Sequence, residues 1–134
     1  MYILEIRQFI MTFDHTILLA HGSRDSNWLQ PFIALTERLS QSATQVSLAF
    51  MELAEPTLEQ AVINARNQGA QSIAVLPLFF AAGKHLREDV PAMIAELTEK
   101  AGVDISLLPP LGEHPLFIDT VEGIVRDLLQ SGAR

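Results

Sequence analysis

The chain has 134 residues, 49% of them apolar and 19% charged, which allows one folded domain and excludes a disordered, collagenous or coiled-coil chain. It has no cysteine, so disulfide frameworks, iron–sulfur clusters, thiolate zinc sites and cysteine nucleophiles are excluded, and any metal must take nitrogen or oxygen ligands. Sixteen acidic residues against nine basic ones give a net charge of -7, which argues against general nucleic-acid binding because such a surface repels phosphate backbones.

Residues 1–13 are apolar but broken by Glu5, Arg7 and Gln8, with neither a basic start nor a small-residue cleavage site, so a signal peptide is not expected. They read as an N-terminal extension: either an ordered edge strand or dimer arm, or a stretch ahead of a natural start at Met11. No run reaches the roughly 18–20 apolar residues of a membrane span, and a cytoplasmic protein with no membrane partner is the default expectation. Thr16 to Ala20 is a buried strand leading into His21-Gly22-Ser23. Asp25 or Ser26 caps a helix in which Trp28, Phe32, Leu35 and Leu39 recur at helical spacing. Gln45 to Met51 is the second strand. Pro56 suits the first turn of a helix with Leu58, Ala61, Val62 and Ala65 inward, ending near Gly69. Ser72 to Leu78 is the third and most apolar strand. A third helix after Lys84-His85 turns Leu86, Val90, Ile94 and Leu97 inward and ends near Gly102. Asp104 to Leu108 is the fourth strand, stopped by Pro109-Pro110, and a last helix is expected to turn Phe117, Val121, Ile124, Val125 and Leu128 to the core.

Strands separated by helices imply right-handed crossovers and a parallel sheet covered on both faces. The expected fold is α/β, a three-layer sandwich on a four-stranded parallel sheet of order 2-1-3-4, with residues 14–134 as one domain.

Ligands of open parallel sheets bind beyond the carboxyl ends of the strands, where strand order reverses. In this order strands one and three flank that point, and His21 and His85, 64 positions apart, reach the same rim. Imidazole suits Co, Ni, Fe and Zn, and two histidines on loops make an open site able to pass a metal on. Glu52 follows the second strand and Glu88 sits one turn into the third helix, so either could add an oxygen ligand or take a proton. Arg24, Lys84 and Arg87 lie within three positions of His21 or His85, which suggests a substrate with several carboxylates, helped by nearby helix N-termini. Gly22 and Gly83 permit close backbone approach beside each histidine.

Plainer readings exist for each residue. A histidine at a strand end is commonly a structural hydrogen-bonding group, the two glutamates serve as solvated or capping carboxylates, and the basic trio balances nearby acids. Phe79 and Phe80 read as core, with one able to line a pocket. His15 reads as a surface residue at the opposite end of the sheet, and His114 as a residue on the correct rim but further out.

Four segments in register, Leu18 to Arg24 (LLAHGSR), Met51 to Pro56 (MELAEP), Leu76 through His85 to Pro91, and Pro110 to Pro115 (PLGEHP), together resemble the short CbiX-type class II chelatases, the sirohydrochlorin cobaltochelatases and ferrochelatases. The resemblance runs from about Thr16 to the final helix and leaves residues 1–13 outside it. It implies a chelatase-like half unit that inserts Co2+, Fe2+ or, in some members, Ni2+ into sirohydrochlorin or a close relative without ATP. It implies His21 and His85 as the metal-site histidines, with one histidine, assisted by Glu52 or Glu88, acting as the base that takes pyrrole protons. The carboxylate-rich ring would meet Ser23, Arg24, Lys84, Arg87 and His114. The metal is then a substrate, no tightly bound cofactor is expected, and a chain with one copy of the unit is expected to form a homodimer. Two rivals remain. One is a metal or tetrapyrrole carrier that binds without inserting. The other is a phosphoryl-transfer enzyme based on His21, weakened by Ala20 where the histidine phosphatases place an arginine. A serine hydrolase on Ser23 lacks the Gly-x-Ser-x-Gly elbow.

Overall fold

Apolar runs too short for helices, alternating with capped amphipathic segments, produce four parallel strands: β1 (His15–Ala20), β2 (Val46–Phe50), β3 (Ser72–Pro77) and β4 (Asp104–Leu107). They are hydrogen-bonded in the order β2-β1-β3-β4, as the sequence led us to expect. The computed structural model describes residues 13–43 and 45–131, so the expectations for residues 1–12 lie outside the described residues. Among the described residues four helices accompany the sheet: α1 (Ser26–Ser40), α2 (Leu58–Asn67), α3 (Val90–Ala101) and α4 (Pro115–Ser131). A π-helical turn, His85–Asp89, leads into α3, and a 3-10 turn, Leu111–Glu113, precedes α4.

Successive strand side chains point to opposite faces, so the sheet sorts its apolar residues into two cores. Ile17, Leu19, Ile73 and Val75 face α2 and α3, which bury Leu58, Ala61, Val62 and Ala65, and Val90, Ile94, Leu97 and Ala101. Leu18, Ala20, Leu48 and Phe50 face α1. Burying each such side chain contributes roughly 1.5–3 kcal/mol. Register aligns Leu18 with Leu48 on one side and Leu76 on the other, which brings the strand exits level at one rim.

Five local expectations need correction. Phe79 is in the core, but Phe80 is 78% exposed and is not. In α1 the packed residues are Leu29, Phe32, Ile33 and Leu39, while Trp28 and Leu35 are 52% and 40% exposed. Two adjoining apolar stripes share the helical period, and the period alone does not say which one faces the sheet. Helix α2 begins after Pro56: Thr57 is its N-cap, accepting from the Gln60 amide at 3.2 Å while the Gln60 side chain accepts from the Thr57 amide at 2.8 Å. That reciprocal pair satisfies two amides at the helix start, which proline at the first turn does not do. His15 is the first residue of β1 and is buried, its Nε2 2.9 Å from Ser47 Oγ, so it is not a surface residue. Finally, Val121, Ile124, Val125 and Leu128 of α4 do not enter the core; all four are exposed, and only Phe117 is half-buried, edge-on against Phe80 at 5.5 Å.

Candidate functional site

The strand ladder continues past the strands themselves and sets three loop segments side by side. The Met51 amide donates to the Ala20 carbonyl at 2.8 Å, the Glu52 amide to the His21 carbonyl at 3.2 Å, and the Leu78 amide to the Leu19 carbonyl at 2.8 Å. Glu52 and Phe79 are thereby brought beside His21 by backbone hydrogen bonds. Gly22 has φ +90°, and a Cβ there would stand 1.9 Å from the Glu52 carbonyl oxygen. The close approach of the β1 and β2 exits therefore requires glycine at this position. The Gly112 amide donates to the Phe79 carbonyl at 2.9 Å and ties the exit of β3 to the 3-10 turn after β4.

The His21 ring stacks on Phe79, centroids 4.0 Å apart and planes 23° from parallel. Phe79 belongs to the buried core, so an exposed imidazole is anchored to a fixed surface. His85 opens the π-helical turn, in which the Val90 amide reaches back to the His85 carbonyl. Such turns occur frequently at functional sites. Leu86, 4% exposed, plugs the turn into the core and leaves His85 outside it. His85 Nδ1 lies 2.5 Å from Asp89 Oδ2.

Both imidazoles line one cavity of about 750 Å3, together with Glu52, Phe79, Lys84 and Asp89. Glu59 and Glu96 also border it; Glu59 is paired with Lys100 Nζ at 2.6 Å, which leaves Glu52, Asp89 and Glu96 against Lys84. That balance favours a cation inside. Among the described residues no group of three or more His, Asp or Glu side chains is set to hold a metal ion.

The other candidates sit apart from the lining. Arg24, Arg87 and Glu88 are exposed and do not border the cavity. Ser23 Oγ accepts from the Asp25 amide at 3.0 Å within its own turn. His114 Nδ1 accepts from the Leu116 amide at 3.1 Å, at the start of α4, and does not border the cavity either. Reading the sequence missed Asp89, Glu59 and Glu96 as cavity residues; the four-residue spacing of His85 and Asp89 was the one signal available for the first.

A doubly wound parallel sheet whose reversal point presents two imidazoles and a majority of carboxylates is an α/β domain of the metal-handling class. The CbiX family model matches residues 15–128, and the chain belongs to that family. It is 32% identical over 106 residues to a sirohydrochlorin cobaltochelatase of Sulfolobus acidocaldarius, covering 79% of this chain and 85% of that one. Among solved structures it superposes on a cobalamin (vitamin B12) biosynthesis CbiX protein from Marinobacter aquaeolei VT8 with a TM-score of 0.79 and 44% identity, covering 87% of this chain and 98% of the other. It also matches the sirohydrochlorin chelatase SirB from Bacillus subtilis subspecies spizizenii, solved in complex with cobalt, with a TM-score of 0.71 and 29% identity over 85% of this chain and 50% of SirB.

Proposed function

We propose that this chain is a chelatase that inserts a divalent metal ion, Co2+ or Fe2+ with Ni2+ as a further candidate, into sirohydrochlorin or a closely related tetrapyrrole without ATP. The observation that carries the reading is the meeting of His21 and His85, from separate strands, on one carboxylate-bordered cavity. The names of the Sulfolobus relative and of cobalt-bound SirB support it.

Neutral imidazole nitrogens of His21 and His85 take the incoming ion, and the carboxylates around them draw it in. The same carboxylates repel an anionic ring, so the tetrapyrrole stays at the mouth, where Lys84, with Arg24 and Arg87 on the flanks, meets its acid groups. Ser23 and His114 are assigned to the ring contact in this reading as well. Metallation releases two pyrrole protons. Glu52, on the cavity wall beside His21, is better placed to accept one than Glu88, which lies outside the lining. General-base help of this kind typically contributes about 10²–10⁴ in rate. The metal is substrate, and no tightly bound cofactor enters.

A second copy of the chain completes the assembly in this reading, with residues 14–134 as the folded unit, residues 1–13 as its extension and the cytoplasm as its compartment. SirB is about twice the length that this chain matches. Helix α4 carries an unpartnered apolar stripe in which Leu116, Ile118, Ile124 and Leu128 are all more than half exposed, the kind of patch that marks an interaction surface. Among the described residues no helix is long and apolar enough to cross a membrane.

The test is purified protein with sirohydrochlorin and Co2+, Fe2+ or Ni2+ in parallel, followed by absorbance. Insertion faster than the uncatalysed reaction is expected for at least one ion. Binding of metal or ring without acceleration would favour the carrier, and hydrolysis of an aryl phosphate the phosphoryl-transfer enzyme.

A further inference from the structure

We propose that Asp89 is a positioning residue that fixes the tautomer and orientation of His85, so that Nε2 presents its lone pair to the metal. The inference rests on the reading of His85 as a metal ligand. A carboxylate can only accept, so at a separation of 2.5 Å the His85 Nδ1 must carry the proton and donate it to Asp89 Oδ2. In neutral imidazole that leaves Nε2 unprotonated and free to coordinate.

Asp89 has no competing duty. It stands at the N-cap position of α3, yet its backbone is helical at φ -78°, ψ -42° and its side chain makes no capping hydrogen bond. Its carboxylate is spent on His85, and both side chains border the cavity. The need for such a partner follows from exposure. His85 is 81% exposed in its side chain, so packing does not hold the ring, in contrast to His21 on Phe79. Among the described residues no hydrogen bond holds a His21 ring nitrogen, which makes the two imidazoles differently restrained: one by an aromatic face, one by a carboxylate. The π-helical turn places them for this purpose, because it seats Leu86 in the core and keeps His85 and Asp89 on one side of the chain, four residues apart.

The test compares Asp89→Ala and Asp89→Asn with native protein in two measurements. One is calorimetric titration with Co2+ alone. The other is the 15N spectrum of the His85 ring without metal. Glu96→Gln removes a cavity-side charge that makes no hydrogen bond or ion pair with His85 and serves as the charge control. Carboxylates that hold the far nitrogen of a ligating histidine are worth about 10–100-fold in metal affinity, and a loss of that size is expected for both Asp89 variants, well beyond that of Glu96→Gln. The native His85 should show its proton on Nδ1, and Asp89→Ala should show it redistributed toward Nε2. Asp89→Glu, which keeps an acceptor-only carboxylate where asparagine could also donate, should recover part of the affinity. The proposal is overturned if the Asp89 variants lose no more affinity than Glu96→Gln, or if native His85 carries its proton on Nε2. Failure of the function reading is separate: His85→Ala would then bind Co2+ like native protein, whereas a His85→Ala loss with a native-like Asp89→Ala removes this inference alone.

Discussion

His21 and Phe79 form a stacked pair with centroids 4.0 Å apart, and that contact joins the exit of β1 to the exit of β3. An exposed ring is thereby given a fixed plane by a buried one. Phe79→Leu keeps most of the apolar volume and removes the stack, an interaction worth about 0.5–1.5 kcal/mol beyond burial. We expect metal insertion to slow by about three- to tenfold, as that energy implies, while the melting temperature falls by only about 2–5 °C. Stopped-flow absorbance and thermal melts measure the two effects. Native-like insertion in this variant would show that the stack does not matter to the site.

Glycine is required at one loop beside the histidines and optional at the other. Gly22→Ala forces a Cβ to 1.9 Å from the Glu52 carbonyl oxygen at a φ of +90°, whereas a Cβ at Gly83 meets nothing within 4 Å. Strained backbone of this kind costs about 1–3 kcal/mol before the steric clash is counted. Urea unfolding should show Gly22→Ala destabilised by at least about 2 kcal/mol and Gly83→Ala by less than about 1 kcal/mol.

His15 sits buried at the end of the sheet away from the cavity, and burial pulls its pKa below the ordinary value of 6.5. Below pH 6.5 the unfolded chain takes up a proton that the folded chain binds poorly, so the stability owed to neutral His15 is complete above pH 6.5. It is lost as the pH falls toward the lowered folded value. Unfolding free energy measured from pH 7.5 to 5 should therefore decline, and His15→Gln should flatten part of that slope. Identical slopes for the two proteins would contradict the assignment.

The apolar stripe of α4 gives a prediction about assembly. Leu128 is 62% exposed and Ile124 54%. Sedimentation of the native chain should report a dimer, and Ile124→Asp, which places a charge in the stripe, should report a monomer with an unchanged far-ultraviolet spectrum. A native monomer at tens of micromolar would remove α4 as an interface.

Much of this architecture was legible from residues alone, for a physical reason. Strands buried on both faces read as near-continuous apolar runs, and the inward residues of α2 and α3 follow one unambiguous stripe, so Leu58, Ala61, Val62, Ala65, Val90, Ile94 and Leu97 all lie where the spacing puts them. The phase of α1 was not legible because Leu29 and Ile33 compete with Trp28 and Leu35 at the same period. In α4, amphipathicity shows that a face needs covering but not that the cover lies on the same chain. The pairing of the two imidazoles followed from the strand order. The acidic wall did not, because Glu59 and Glu96 lie outside the inward stripes of their helices, and only the packed structure shows that they border the cavity.

The most direct test of the two-imidazole site is the single-turnover rate of Co2+ insertion into sirohydrochlorin by His21→Ala and His85→Ala beside the native chain. Each substitution should slow the step by at least about 10²-fold, the low end for removal of a group acting on the transferring atoms, with folding intact by circular dichroism. A native rate in either variant would contradict the site, leaving the fold and the family membership standing without this mechanism.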